Sequence, residues 1–325
     1  MRTTTLGADG PQVGVIGLGC MGMTNGYDIG GLRDDATSID VVHAAIDDGM
    51  TLIDTADVYG PFTNEELVGQ ALTGGYRERA VLATKVGLTV ADQHGGPGGS
   101  PRIAPNGRPE HVRASIDESL RRLGTDHVDL YQLHRVDPAV PLEETWGALA
   151  EAVQAGKALR LGLSEVSVEQ IKTAQAVHPV ASVQSEFSLW TRDVVTEVLP
   201  YCVAQGIAFL PFSPLGRGFL TGRFTSFDDL PEQDFRRGLP RFQQEALRAN
   251  LDIVARVREI GERIGATPAQ VALAWLVAQG PHVIPIPGTK TPKYLADNAG
   301  AAVVALSAAD LADLDAIGVA VGARY

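Results

Sequence analysis

Cysteine is scarce in this chain: Cys20 and Cys202 are the only two among 325 residues. Two cysteines build no disulfide framework and fit a reducing compartment. Neither falls in a CxxC pair, and the seven histidines form no HxxxH, so a structural metal is not expected. Long apolar runs are also missing. VALAWLVA (271–278) is among the longest, far short of the ~20 residues of a membrane span. The opening MRTTTLGADG lacks the apolar core of a secretory signal, and the expected location is the cytoplasm. Positive charge is in deficit, with 27 Lys and Arg against 39 Asp and Glu and a net charge of −12. Such a surface repels nucleic acid and anionic membrane, so neither is expected as a partner. A local basic pocket for a phosphate-bearing ligand remains compatible with it.

What the chain does have is apolar content, 45% of it, arranged in two alternating periods. TTTLGADGPQVGVIGLG reads as a hairpin turned at Asp9-Gly10. Short apolar runs then follow: a strand around Val15–Gly19, TLID (51–54), VLATK (81–85), VDLYQL (128–133), LRLGLS (159–164), SVQ (182–184), IAFLPF (207–212) and VIPIP (283–287). Helix-like stretches separate them near 37–48, 64–73, 109–122, 142–155, 167–176, 191–205, 268–279 and 291–300. Eight strands each followed by a helix predict an α/β fold, a (β/α)8 TIM barrel with an N-terminal β-hairpin, and residues 1–325 read as one domain. Thr63 and Thr267-Pro268 are expected helix starts, and Gly49, Gly156 and Gly206 expected helix ends. Residues 88–108 and 213–244 read as long loops on the C-terminal face, 245–264 as an extra helix, and the Ala-rich tail at 299–325 as a terminal helix on the barrel.

Gly17-Leu-Gly-Cys-Met-Gly22 matches GxGxxG after a strand. A dinucleotide-binding fold needs a helix to open inside that motif. TNGYDIGGLRDD follows instead, with three more glycines and no apolar period, and the reading is rejected.

Asp54, Lys85 and His134 fall at the last positions of successive strands, and Tyr59 sits in the loop after Asp54. In a parallel barrel all strand C-termini open onto one face, so the four side chains converge there. Taken singly, each has a structural explanation: a cap, a core phenol, an ion pair, a satisfied barrel histidine. Together, an acid, a phenol, an amine and an imidazole make a proton-transfer site. A phenol has a pKa near ~10 and donates a proton usefully only if its phenolate is stabilised. A lysine held charged by a buried carboxylate does that, and a histidine can hydrogen-bond a carbonyl oxygen.

At these residues the chain resembles the aldo-keto reductases, a TIM-barrel family that reduces aldehydes and ketones with a nicotinamide cofactor. The resemblance runs from GLGCMGM (17–23) to IPGT…DN (286–298). It implies a catalytic tetrad of Asp54, Tyr59, Lys85 and His134, with Tyr59 as proton donor and a small carbonyl compound as substrate. LHRVDP…PLEETWGAL…GKALRLGLSE and VQSEFSLW look like the bacterial, fungal and plant members acting on varied aldehydes, and less like the mammalian aldose reductase branch.

The same resemblance implies cofactor contacts. Gly19 and Met21 lie in the first motif; Ser164 and Gln184 match positions that hydrogen-bond the nicotinamide carboxamide; Phe212 matches an aromatic stacked on its ring, commonly Tyr or Trp. Glu165 stands where Asn is frequent. Ser213, Leu215, Gly218 and Arg223, in SPLGRGFLTGR, match the loop that wraps the pyrophosphate. Gly288, Thr289 and Lys290 match the neighbourhood of the 2′-phosphate, and Asp297 and Asn298 match adenine contacts. Tyr294 stands where many NADPH-preferring members have Arg, and NADPH is expected over NADH. Pocket walls are expected from 20–30, 88–108, 213–240, Trp190 and Tyr325. Tyr27, Phe62, Trp190 and Phe212 suggest an apolar pocket suited to aromatic or medium-chain aldehydes. Two other readings share the fold: a cofactor-binding accessory subunit of a membrane channel, and a Schiff-base lyase using Lys85 as nucleophile.

Overall fold

The apolar runs read above become the staves of a parallel barrel. A computed structural model describes residues 1–24, 33–92 and 102–324. Strands β1 (Thr3–Thr5) and β2 (Gln12–Gly14) pair antiparallel, with Thr5 opposite Gln12. Then come β3 (Leu18–Gly19), β4 (Leu52–Asp54) and β5 (Val81–Val86). A second antiparallel pair, β6 (Leu88–Asp92) and β7 (Arg102–Pro105), precedes β8 (Leu130–Leu133), β9 (Leu161–Ser164), β10 (Ser182–Glu186) and β11 (Ala208–Phe212). Strands β3, β4, β5, β8, β9, β10 and β11 form one parallel sheet in that order. Parallel bridges Phe209–Val283 and Gly19–Gly288 lay the stretch 283–288 between its two edges and close the barrel.

That eighth stave is irregular because Pro285 and Pro287 have no N–H to give. Ile284 and Ile286 donate to Phe209 and Pro211 on one side, at 2.9 and 3.1 Å. On the other, the prolines only accept, from Gly17 and Gly19 at 2.9 and 3.2 Å.

The helices are α1 (Asp35–Asp47), α2 (Thr63–Ala71), α3 (Pro109–Leu123), α4 (Leu142–Gln154), α5 (Val168–Gln175), α6 (Val198–Gln205), α7 (Gln244–Ile264), α8 (Pro268–Val277), α9 (Pro292–Gly300) and α10 (Ala308–Asp315). Thr267 caps α8 in a capping box with Gln270. Gly49, Gly156 and Gly206 follow their helices at φ of 90°, 72° and 66°. Among the described residues no single helix is long and apolar enough to cross a membrane.

Four expectations need correction. Residues 88–108 carry a β-hairpin, not only loop: LTVAD and RIAP each offer a short run that pairs locally. The helix expected at 191–205 begins at Val198, because Pro200 is tolerated only in a first turn. Thr63 is the first residue of α2, not its cap. Phe62 occupies that place at φ 71°, and the Thr63 hydroxyl donates back to the Gly60 carbonyl at 2.6 Å. In the tail, α10 spans only Ala308–Asp315, and the chain beyond runs without regular structure to Arg324.

Two apolar clusters result. One lies between barrel and helices, and the other fills the barrel. Inside, Leu52, Val81, Ala83, Leu130, Ala208, Leu210, Ile284 and Ile286 pack together, and Leu6 and Val13 of the hairpin join them. The interior is thus plugged with hydrocarbon, and the polar side chains of the same strands are gathered above that floor.

Candidate active site

Period-2 alternation sends every second residue of a strand inward. Asp54 ends β4, Lys85 is the penultimate residue of β5, His134 follows β8, and Tyr59 lies in the loop after β4. The structure brings all four together. The Lys85 Nζ lies 2.5 Å from Asp54 Oδ1, 2.9 Å from the Thr55 carbonyl and 3.2 Å from the Tyr59 hydroxyl. The Tyr59 and His134 rings meet edge to face, centroids 5.7 Å apart.

The second oxygen of Asp54 is occupied as well. Oδ2 accepts from Gln184 Nε2 at 2.9 Å and from Gln132 Nε2 at 3.1 Å. Gln184 lies within β10, which runs two residues past the expected SVQ because Ser185 and Glu186 continue the pairing against Pro211 and Phe212. Gln132 was not expected at all. The available signal was an amide at an inward position of VDLYQL, a run otherwise apolar on that face.

Tyr59 is held by its backbone through a second unforeseen residue, the fully buried Asn64. Asn64 N–H donates to the Tyr59 carbonyl at 3.2 Å. Its side chain donates to the Cys20 carbonyl and the Thr24 hydroxyl, and accepts from Thr55 at 2.6 Å. The loops after β3 and β4 are thereby locked to each other.

Burial acts to lower the Lys85 pKa, but the Asp54 charge and the Tyr59 hydroxyl override it, so the net shift is upward and the amine stays charged. That opposes any role for Lys85 as a Schiff-base nucleophile. Tyr59 is raised, since desolvation outweighs the downward pull of Lys85. The hydroxyl therefore keeps its proton at neutral pH. Burial, then Lys85 and Arg135, push His134 well below the ordinary imidazole value, so it is neutral.

Behind the barrel wall lies a second buried polar group. Glu65 pairs with Arg122 at 2.7 Å and accepts from Thr84 at 2.6 Å. Burial and the Glu65 charge drive Asp57 well above the usual carboxylate range, although its Oδ1 accepts from the Val58 N–H at 2.7 Å.

The other expected positions spread along the C-terminal face. Gly19 meets Gly288 at the barrel seam, and Met21 lies in a single 3-10 turn. That turn, with no α-helix inside GxGxxG, agrees with rejecting the dinucleotide motif. The Ser164 hydroxyl lies 3.1 Å from Arg135 Nη1. Phe212 is half-buried, with the Arg324 guanidinium 6.0 Å from its ring centre. Ser213, Leu215 and Gly218 stand in the tight turns that open the long loop, where Gly218 N–H donates to the Leu215 carbonyl. Arg223 is exposed, its guanidinium 5.5 Å from the Phe224 ring centre. Thr289 accepts from Thr291 N–H, and the half-buried Lys290 lies two residues before α9, next to its cap residue Thr291. Tyr294 is exposed, Asp297 accepts from Thr267 at 2.9 Å, and Asn298 is buried.

The apolar pocket expected from the aromatics is revised. Trp190 is buried against Phe219 and Phe242, with centroids at 4.1 and 5.3 Å, because the long loop folds over it. Phe62 is exposed beneath the Arg122 guanidinium. Tyr27 and Tyr325 lie outside the described residues. Charge rings the mouth instead. Glu186 pairs with Arg217 and Arg324, each at 3.0 Å, and Arg324 also binds Glu165.

The sequence model of the Aldo/keto reductase family matches residues 15–319. The chain belongs to the aldo-keto reductase family. Membership makes it an oxidoreductase of carbonyl compounds that uses a nicotinamide cofactor. This aldo-keto reductase is 43% identical to the "Probable aldo-keto reductase 1" of Glycine max, over all of this chain and 92% of that one. Among solved structures it resembles a glycerol dehydrogenase from Gluconobacter oxydans at 30% identity and a TM-score of 0.84, covering 96% and 94% of the two chains. It also resembles an aldo/keto reductase from Klebsiella pneumoniae, determined with NADP and acetate, at 28% identity and a TM-score of 0.72, covering 97% and 95%.

Proposed function

We propose that this aldo-keto reductase reduces aldehydes to alcohols with NADPH, and that Tyr59 gives the proton. The observation that carries the reading is the Lys85 ammonium, bonded at once to Asp54 and to the Tyr59 hydroxyl in a buried site.

The residues at the mouth fit the cofactor. A hydroxyl on Ser164, an amide on Gln184 and a half-buried ring on Phe212 suit a carboxamide-bearing aromatic head. Lys290 before the start of α9 suits a phosphate, which is the basis for preferring NADPH. When bound, a reduced nicotinamide supplies the hydride.

The protein's part is to orient the carbonyl and to move one proton. His134 Nδ1 is buried without a partner among the described residues. An orphan N–H there would cost more than a bare acceptor, which puts the proton on Nε2 and makes that atom the donor toward a carbonyl oxygen. Tyr59 delivers its proton to the same oxygen. The phenolate left behind is held by the Lys85 ammonium, itself fixed by Asp54.

Oxidation of NADPH and NADH at 340 nm, with a panel of aldehydes, tests the reading on wild type and Tyr59→Phe. The expected result is turnover with NADPH that falls about 10²–10⁴-fold in the variant, with cofactor affinity retained. Near-wild-type rates in Tyr59→Phe would remove the tetrad assignment. Tight cofactor binding without turnover on any aldehyde would favour the accessory-subunit reading.

A further inference from the structure

Gln132 is buried inside the barrel, on a strand that contributes no other member of the proposed cofactor site. Its amide is nonetheless committed on both ends. Nε2 donates to Asp54 Oδ2 at 3.1 Å, and Oε1 accepts from Gln184 Nε2 at 3.4 Å. Room for this side chain is built into the neighbouring strand. A Cβ on Gly162 would stand 2.9 Å from Gln132 Cγ and 2.3 Å from Ser182 Oγ.

The direction of these bonds follows from chemistry. An ionised carboxylate only accepts, so both glutamines turn their NH2 groups toward Asp54. Gln184 Nε2 has two hydrogens. One goes to Asp54 at 2.9 Å and the other, more weakly, to Gln132 Oε1. The only part of the Gln184 amide left to address a ligand is its oxygen.

We propose that Gln132 is a positioning residue: with Asp54 it fixes the Gln184 amide so that Gln184 meets the cofactor as a hydrogen-bond acceptor only. The partner this selects is an amide N–H of the nicotinamide end, not its carbonyl oxygen. The inference rests on the cofactor reading above.

The test is binding, not turnover. Dissociation constants are measured by tryptophan fluorescence for NADP⁺, for its 3-acetylpyridine analogue, in which the amide NH2 is a methyl, and for 2′,5′-ADP, which lacks the nicotinamide. The wild type is expected to bind the analogue about tenfold more weakly than NADP⁺, the cost of one acceptor left unpaired. In Gln132→Met that ratio is expected to fall below about threefold, as the Gln184 amide is freed to move, while 2′,5′-ADP affinity is unchanged. A Gln132 that merely supports the fold would weaken both dinucleotides alike, and an unchanged ratio overturns the proposal. If Gln132→Met does not fold, Gln132→Leu is read in the same way, and an unchanged ratio in it overturns the proposal; equal affinity of the wild type for NADP⁺ and the analogue overturns it as well. Binding of none of the three compounds would count against the NADPH reading, separately from this inference.

Discussion

Lys85 and Asp54 form an ion pair at 2.5 Å whose side chains are 0% and 3% exposed. Such a pair is bound tightly to its geometry, because either charge left alone in the barrel has no water to turn to.

Lys85→Met should therefore destabilise the fold by about 3–5 kcal/mol as well as abolish reduction. Asp54→Asn combined with Lys85→Met should recover part of that loss, since no uncompensated charge then remains. Urea denaturation of the single and double variants reads both effects. A double variant no more stable than Lys85→Met would mean that the unpaired Asp54 charge is not the cause.

His134 links stability to acid. Its folded pKa is well below the unfolded value near ~6.5. Below about pH 6.5 the unfolded chain takes up a proton that the folded one refuses, so stability is fully present above that point and falls as pH falls. The slope from this residue is at most about 1.4 kcal/mol per pH unit. His134→Asn should lose less stability than wild type between pH 7 and pH 5. Parallel losses would place the proton uptake elsewhere.

Asp57 works in the opposite sense. Its folded pKa is raised well above 3.8, so between those values the folded chain holds a proton that the unfolded chain has released. Stability from this group is present at low pH and is lost as pH rises through the window. Asp57→Asn keeps the oxygen that accepts from Val58 N–H and removes the titration. The variant should gain melting temperature relative to wild type at pH 8, and gain less at pH 5. Calorimetry at the two pH values measures this, and an equal effect at both would contradict it.

Gly162→Ala should cost about 1–3 kcal/mol through overpacking. The added methyl meets both Ser182 Oγ and Gln132 Cγ. Ser182→Gly relieves only the first of these contacts, so the double variant should recover part of the loss in chemical denaturation. Full recovery would mean that Gln132 is not in the way.

Most of the fold was legible because two periods in the sequence are distinct, and each barrel stave is a short apolar run. Strand ends and helix starts were readable where local chemistry decides them, as at Asp54 and at Thr267-Pro268. The misses share a cause. Gln132 and Asn64 act through partners that lie 78 and 44 residues away in sequence, and no local pattern announces such a bond. Trp190 looked like a pocket wall because its position on the C-terminal face was readable, while the loop that covers it was not. The charged mouth was hidden for the same reason: Glu165, Glu186, Arg217 and Arg324 come from four separate stretches of chain.

The paired prolines of the eighth stave also have a consequence for motion. A stave that only accepts toward β3 gives that edge fewer cross-links than its neighbours have. Backbone amides at Gly17 and Gly19 should therefore exchange with deuterium sooner than those of β5 or β8, making this seam the zip of the barrel. Gly19 and Gly288 lie on that seam, and a ligand seated across them would act as its clasp, slowing exchange there first.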